Sequence, residues 1–204
     1  MSQLVRIDEL VLSQHGSLSM WDECYYLMEY TARGGYDRGS GNDLIQNFKK
    51  PLEKKGKPEW KWKELAMHAI AKALKPALTG VIDFDTTTII PVPPSKARTS
   101  PLYDDRVLQL LHESCPPNAD IRELIICQED RLAAHEDARR PNFQDIMNNY
   151  EINTVVDPAI RENVVIFDDV ITAGNHYKAC KTFIQLQFTP KSIVGIFIAR
   201  RSYA

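Results

Sequence analysis

Charge of one sign is the first thing this chain lacks. Among 204 residues, 25 lysines and arginines stand against 27 aspartates and glutamates, a formal net charge of −2. That near balance exerts no global pull on nucleic acid or an anionic membrane, and it excludes a basic nucleic-acid-binding tail. Long apolar runs are missing too. None approaches the roughly 20 residues of a membrane span. The opening MSQLVRIDELVLSQHG has no basic head followed by an apolar stretch, so neither a spanning helix nor a secretory leader is expected. Paired cysteines are also absent: Cys24, Cys115, Cys127 and Cys180 form no Cys-x-x-Cys and have no histidine at a zinc spacing. Isolated thiols in a chain long enough for its own core predict small buried side chains in a reducing compartment, the cytoplasm. Glycine is scarce, at nine, and four of these (Gly34, Gly35, Gly39 and Gly41) crowd into Thr31–Asn42, which reads as a loop.

What is present is ordinary for a globular chain: 44% hydrophobic and 25% charged residues, at a length that makes one domain. Residues 1–61 read as an N-terminal extension packing on a core domain of residues 62–204. Within the extension the first 20 residues are mixed in character, 21–30 are rich in aromatics, and 43–50 form a short helix capped by Asn42 or Asp43. From Trp62, the spacing of Leu65, Ala66, Ala69, Ile70, Ala73, Leu74 and Ala77 predicts an amphipathic helix ending near Pro76 and Gly80. Strands follow at 86–92, 121–127, 163–169 and 192–200, with helices at 104–111 and 176–187. Continuously apolar strands alternating with helices predict an open parallel α/β sheet flanked by helices.

The chemistry concentrates in VVIFDDVITAGNH, residues 164–176. Four apolar residues lead to Asp168 and Asp169, which fall at the C-terminal end of a strand, where open α/β sheets bind ligands. Adjacent strand residues point to opposite faces, so the two acids need not share one role. Thr172, Ala173, Gly174, Asn175 and His176 then open a helix whose free N–H groups suit a phosphate. Carboxylates beside an anion site need a purpose. They can accept hydrogen bonds from sugar hydroxyls or hold a divalent cation that bridges to phosphates. A sugar phosphate meets every one of these demands. Ser95, Lys96 and Arg98 follow another strand and form a cationic loop able to neutralise a pyrophosphate. Arg131, Arg139 and Arg140 lie in a polar connection of about twenty residues, a length that is unusual inside a compact domain. Trp60 and Trp62 between lysines read as a helix anchor rather than a base-stacking surface.

This arrangement resembles the 5-phosphoribosyl-1-pyrophosphate (PRPP) motif of the type I phosphoribosyltransferases: four apolar residues, two acids, two apolar residues and a Thr/Gly-rich loop. Pro-Val-Pro and the basic loop in 88–98, Tyr36, Leu44, Ile45 and Lys49, and the Arg-x-x-Asn of 139–142 are similar to the ComF-like branch. The resemblance implies that Thr172–His176 wrap the 5′-phosphate and that Asp168 and Asp169 contact the ribose, with Mg²⁺ as cofactor at the two acids. It implies phosphoribosyl transfer from PRPP with release of pyrophosphate. The alternative is a non-catalytic PRPP or nucleotide sensor, or a partner subunit in DNA uptake or genome defence. A nucleosidase-like hydrolase is a third reading, and assembly as a homodimer or with a partner protein is in keeping with the class. Three departures stand out. The zinc-binding cysteine module of ComF proteins is missing, and LYDDRVLQLL (102–111) replaces the usual Arg-Gly-Phe-Asn-Gln stretch. Asn175 and His176 stand where a threonine or serine is usual.

Overall fold

The computed structural model describes residues 3–31, 40–130 and 142–202. Gly34, Gly35, Tyr36 and Gly39, and Arg131, His135, Arg139 and Arg140, lie outside the described residues. The chain runs β1 (Val5–Arg6), α1 (Glu9–Leu12), β2 (Cys24–Thr31), α2 (Ser40–Phe48), α3 (Lys61–Thr79), β3 (Thr87–Pro91), α4 (Arg106–Ser114) and β4 (Asp120–Ile121). It continues through β5 (Ile125–Cys127), α5 (Phe143–Asn148), β6 (Tyr150–Ile152), β7 (Asn163–Ile171), α6 (Asn175–Gln187) and β8 (Ser192–Ser202). Six strands form one sheet in the order β1-β2-β8-β7-β3-β4. All neighbours in it are parallel except β1 with β2. The protein is therefore an α/β fold with a mostly parallel central sheet, compatible with the open architecture of the type I phosphoribosyltransferases.

Strand pleating divides the core in two. Val164 and Ile166 of β7, with Phe197 of β8, face α6 and α5. Val165 and Phe167, with Ile196 and Ile198, face α2, α3 and α4. Because both faces are covered, Val164–Phe167 is apolar without interruption, and all four residues are buried. Ala179, Cys180 and Ile184 form the buried face of α6, as their spacing predicts. All four cysteines are free and buried. No helix among the described residues is long and apolar enough to cross a membrane.

Four local readings change. Residues before 62 do more than pack on the sheet, because β1 and β2 are strands of it and β2 lies beside β8. The stretch 121–127 is not one strand. After β4 the Arg122 N–H bonds the Ile89 carbonyl at 2.9 Å, and the chain then leaves to pair β5 with β6. Asn42 lies inside α2 rather than capping it, and its carboxamide bonds both the N–H and the carbonyl of Thr31, at 2.9 and 2.8 Å. On α3 the buried face is rotated: Leu65 and Trp62 are 55% and 48% exposed, while Lys63, Met67, Ala71 and Leu78 are buried. Lys63 tolerates burial because its Nζ donates to Asp104 at 2.8 Å and to the Lys50 carbonyl at 2.9 Å.

Gly195 of β8 packs closely against α6 and β2. A Cβ there would lie 2.8 Å from Tyr177 Cε2, 2.9 Å from Cys24 Sγ and 3.0 Å from Phe197 Cε2. Gly195→Ala is expected to destabilise the fold by about 1–3 kcal/mol through overpacking. A urea-unfolding midpoint equal to that of wild type would contradict this packing.

Candidate functional site

Register places the acid pair at the ligand-binding edge of the sheet. Pro91 of β3 and Ile196 of β8 flank Phe167, and the Val92 N–H bonds the Phe167 carbonyl at 2.8 Å. Asp168 and Asp169 come next on β7. They point to opposite faces and live in different electrostatic surroundings.

Asp169 is 5% exposed and lies toward α2 and α4. Its Oδ1 accepts from Lys49 Nζ at 3.0 Å and its Oδ2 from Arg106 at 2.7 Å. Arg106 also bonds Asp104 at 3.0 Å, and Asp104 takes Lys63, so five alternating charges form a chain behind the sheet edge. Burial alone would raise the Asp169 pKa, but Lys49 and Arg106 outweigh it and hold the carboxyl well below the usual range.

Asp168 is half-buried, and its Oδ1 accepts the Asp169 N–H at 2.7 Å. Loss of hydration and the neighbouring Asp169 charge push its pKa up to about 7, with Lys49 offsetting only part of the effect. It lines a pocket together with Thr172, Gly174, Asn175, His176, Tyr177 and Phe197.

The turn between β7 and α6 completes that pocket. Gly174 holds φ at +91°, a left-handed conformation suited to glycine, and as the N-cap residue of α6 it brings no side-chain oxygen of its own to the helix start. The N–H groups of the first helical turn have no intrahelical acceptors, so they and the helix dipole favour an anion there. Behind the turn runs the segment 14–22. His15 Nδ1 bonds the Thr172 carbonyl and Ser17 Oγ bonds Asn175 Oδ1. The Ser17 N–H bonds the Ala173 carbonyl at 2.9 Å. Leu18 packs where a Gly174 Cβ would stand.

The structure thus gathers Asp168, Thr172, Gly174, Asn175 and His176 around one pocket, with Ala173 exposed in the same turn. Asp169 is adjacent in sequence but faces the other way. The loop carrying Ser95, Lys96 and Arg98 leaves β3 next to β7 but does not line this pocket. Lys96 lies 3.9 Å from Asp130, and Arg98 lies 3.6 Å from Glu123. Asp130 also fastens the loop by accepting the Ala97 N–H at 2.8 Å and the Ser100 hydroxyl at 2.9 Å. Of the ComF-like residues, Lys49 reaches Asp169, Ile45 is buried in the core, and Asn142 caps α5 in a reciprocal box with Asp145. Arg106 and the 14–22 segment carried no local signal in the sequence, because their partners are distant in the chain.

No protein-family model matches this chain, and no curated protein matches it. Among the described residues no group of three or more His, Cys, Asp and Glu could hold a metal ion. Both Asp169 oxygens are engaged by cationic side chains. Asp168 is therefore the one carboxylate of the pair that faces the pocket, and Mg²⁺ bound mainly by a ligand's phosphates needs only one or two such groups.

Proposed function

We propose that this chain is a phosphoribosyltransferase-like protein that binds PRPP, with Mg²⁺ carried on the diphosphate, at the pocket between Asp168 and His176. One observation carries the reading: a half-buried carboxylate opens into the same pocket as a glycine turn and the N-terminus of α6. The N–H groups of the turn and first helical residues would take the 5′-phosphate. Asp168 would accept from the ribose hydroxyls and balance positive charge developing on the ring. Asp169 acts through its pairing with Lys49 and Arg106, which keeps it ionised and holds the strand end in place. Binding energy from the remote phosphate would fix the reacting carbon in position, and pyrophosphate would leave toward the Ser95–Arg98 loop.

A second reading, a sensor or partner subunit that binds PRPP or a nucleotide without turnover, has its own support. Lys96 and Arg98 are directed to Asp130 and Glu123 rather than to the pocket. Calorimetric titration with PRPP, with and without Mg²⁺, alongside ribose 5-phosphate and AMP, tests both. Mg²⁺-dependent PRPP binding is the expected result, and silence with all three ligands would overturn both readings. Pyrophosphate release on adding a nucleobase or other acceptor would separate transfer from sensing.

A further inference from the structure

The segment 14–22 precedes the motif by some 157 residues in sequence yet touches the turn residue by residue. His15 takes the carbonyl of Thr172, and the Ser17 N–H takes the carbonyl of Ala173. Among the described residues no peptide bond is cis. In a planar trans peptide the carbonyl and the following N–H point in opposite directions. Tying down these two carbonyls therefore aims the N–H groups of Ala173 and Gly174 away from the segment. None of His15, Ser17 or Leu18 lines the pocket.

The segment is itself anchored on rigid elements at both ends. Gln14 accepts from Arg200 of β8 at 2.8 Å, and Asp22 accepts from Lys178 and Lys181 of α6, each at 2.7 Å. Ser17 also fixes one end of the Asn175 carboxamide. Its hydroxyl donates to Asn175 Oδ1, which ties the segment to the first residue of α6.

We propose that His15 and Ser17 are positioning residues of the 172–176 turn: the N-terminal segment is a brace that presets the N–H groups of Ala173 and Gly174 to receive a phosphate ester. Preset donors need no reordering when the anion arrives, so affinity depends on the brace although the brace never touches the ligand. His15 suits the task because it is fully buried, and burial keeps its pKa below the usual histidine value, which favours the neutral ring. With Nδ1 donating, Nε2 is the unprotonated nitrogen, and it has no hydrogen-bond partner.

This inference rests on the reading of 172–176 as a phosphate turn, and two kinds of readout keep their failures apart. In the unliganded protein, long-range ¹H–¹⁵N NMR should find His15 in the Nδ1-protonated tautomer. Backbone relaxation should show the Ala173 and Gly174 amides as rigid as those of β7 in wild type and mobile in His15→Ala. His15→Asn, whose amide can stand in for Nδ1–H, should restore rigidity. In titrations with Mg²⁺–PRPP, His15→Ala should weaken binding about tenfold and His15→Asn less than threefold. Ser17→Ala should weaken binding about fivefold in wild type and have no further effect on Asn175→Ala.

An Nε2-protonated or doubly protonated His15, or unchanged turn amides in His15→Ala, would overturn the brace whether or not PRPP binds. Unchanged affinity in both His15→Ala and Ser17→Ala, in a protein that binds PRPP, would also overturn it and leave the phosphate reading intact. If His15→Ala fails to fold, Ser17→Ala and the wild-type tautomer carry the decision.

Discussion

Replacing Asp169 by asparagine is expected to destabilise the protein by about 3 kcal/mol at neutral pH, because it breaks a buried ion pair from one side only. Arg106 donates to Asp169 Oδ2 at 2.7 Å, and Lys49 donates to Oδ1 at 3.0 Å. A carboxamide offers one acceptor and turns its NH₂ toward one of these two donors, so one contact becomes donor against donor. Arg106 keeps Asp104 as a partner, which limits the loss. The pH dependence has a definite sign. A carboxyl whose pKa is lower in the folded state stabilises the fold above its unfolded pKa, near 3.8, and that contribution fades as pH falls through the lower folded value. The contribution of Asp169 itself should therefore hold from pH 8 to pH 5 and close only in stronger acid, while loss of its charge also relieves Asp168, so the difference between wild type and Asp169→Asn should be larger at pH 5 than at pH 8. Urea unfolding across that range measures it, and equal midpoints at pH 7 would remove Asp169 from its structural role.

Its neighbour should respond in the opposite direction. Asp168→Asn is expected to stabilise the protein by about 2 kcal/mol at pH 8 while removing PRPP binding. The Asp168 carboxyl has a folded pKa raised to about 7 from an ordinary value of 3.8. A raised acid binds its proton more tightly when folded. Its favourable contribution is complete below about pH 4, declines as pH rises, and is gone above about 7, where the fold must hold an ionised group that is short of water and next to Asp169. Asparagine removes that liability, so the advantage of the variant should shrink as pH falls toward 5. A variant no more stable than wild type at pH 8, or one that still binds PRPP with wild-type affinity, would show that Asp168 is an ordinary acid at a strand end. Adjacent carboxylates with opposite effects on stability are the sharpest test of the site, since a generic loss of negative charge would move both variants the same way.

The parts of this protein that could be read from its sequence are those whose information is local. Val164–Phe167, the two acids, the turn and α6 follow one another in the chain, and each is specified by its neighbours: apolar residues buried on both faces, glycine at a left-handed angle, and a helix starting at once. The opposite orientations of Asp168 and Asp169 also follow from strand geometry alone. What the sequence hid is carried by distant pairs. Lys49 is 120 residues from Asp169 and Arg106 is 63; the ComF-like resemblance picks out Lys49 but not its partner, and Arg106 does not stand out at the start of α4. The alanines of α3 serve almost equally well on two adjacent faces, so the periodicity chose Leu65 and Ala69 where tertiary packing chose Met67 and Ala71. Residues 121–127 have strand-forming composition throughout, yet after β4 Arg122 is drawn away to Asp120 and to the carbonyls of Asp157 and Ala159. The N-terminal segment gave no warning of its role because its partners lie at the far end of the chain.

The pairing of β2 with β8 has a consequence for the order in which the molecule can be built. Thr31 and Ser202 lie side by side although 171 residues separate them, and β8 is also the strand that joins β2 to β7. As the chain emerges during synthesis, β3, β7 and α6 can begin to associate, but β1 and β2 have no place in the sheet until β8 has left the ribosome. Closing so long a loop is slow, because its entropy is lost before any contact repays it. Phe197 of β8 lines the pocket and Arg200 of β8 holds Gln14 of the segment behind the 172–176 turn, so the pocket can reach its final shape only after β8 is in place.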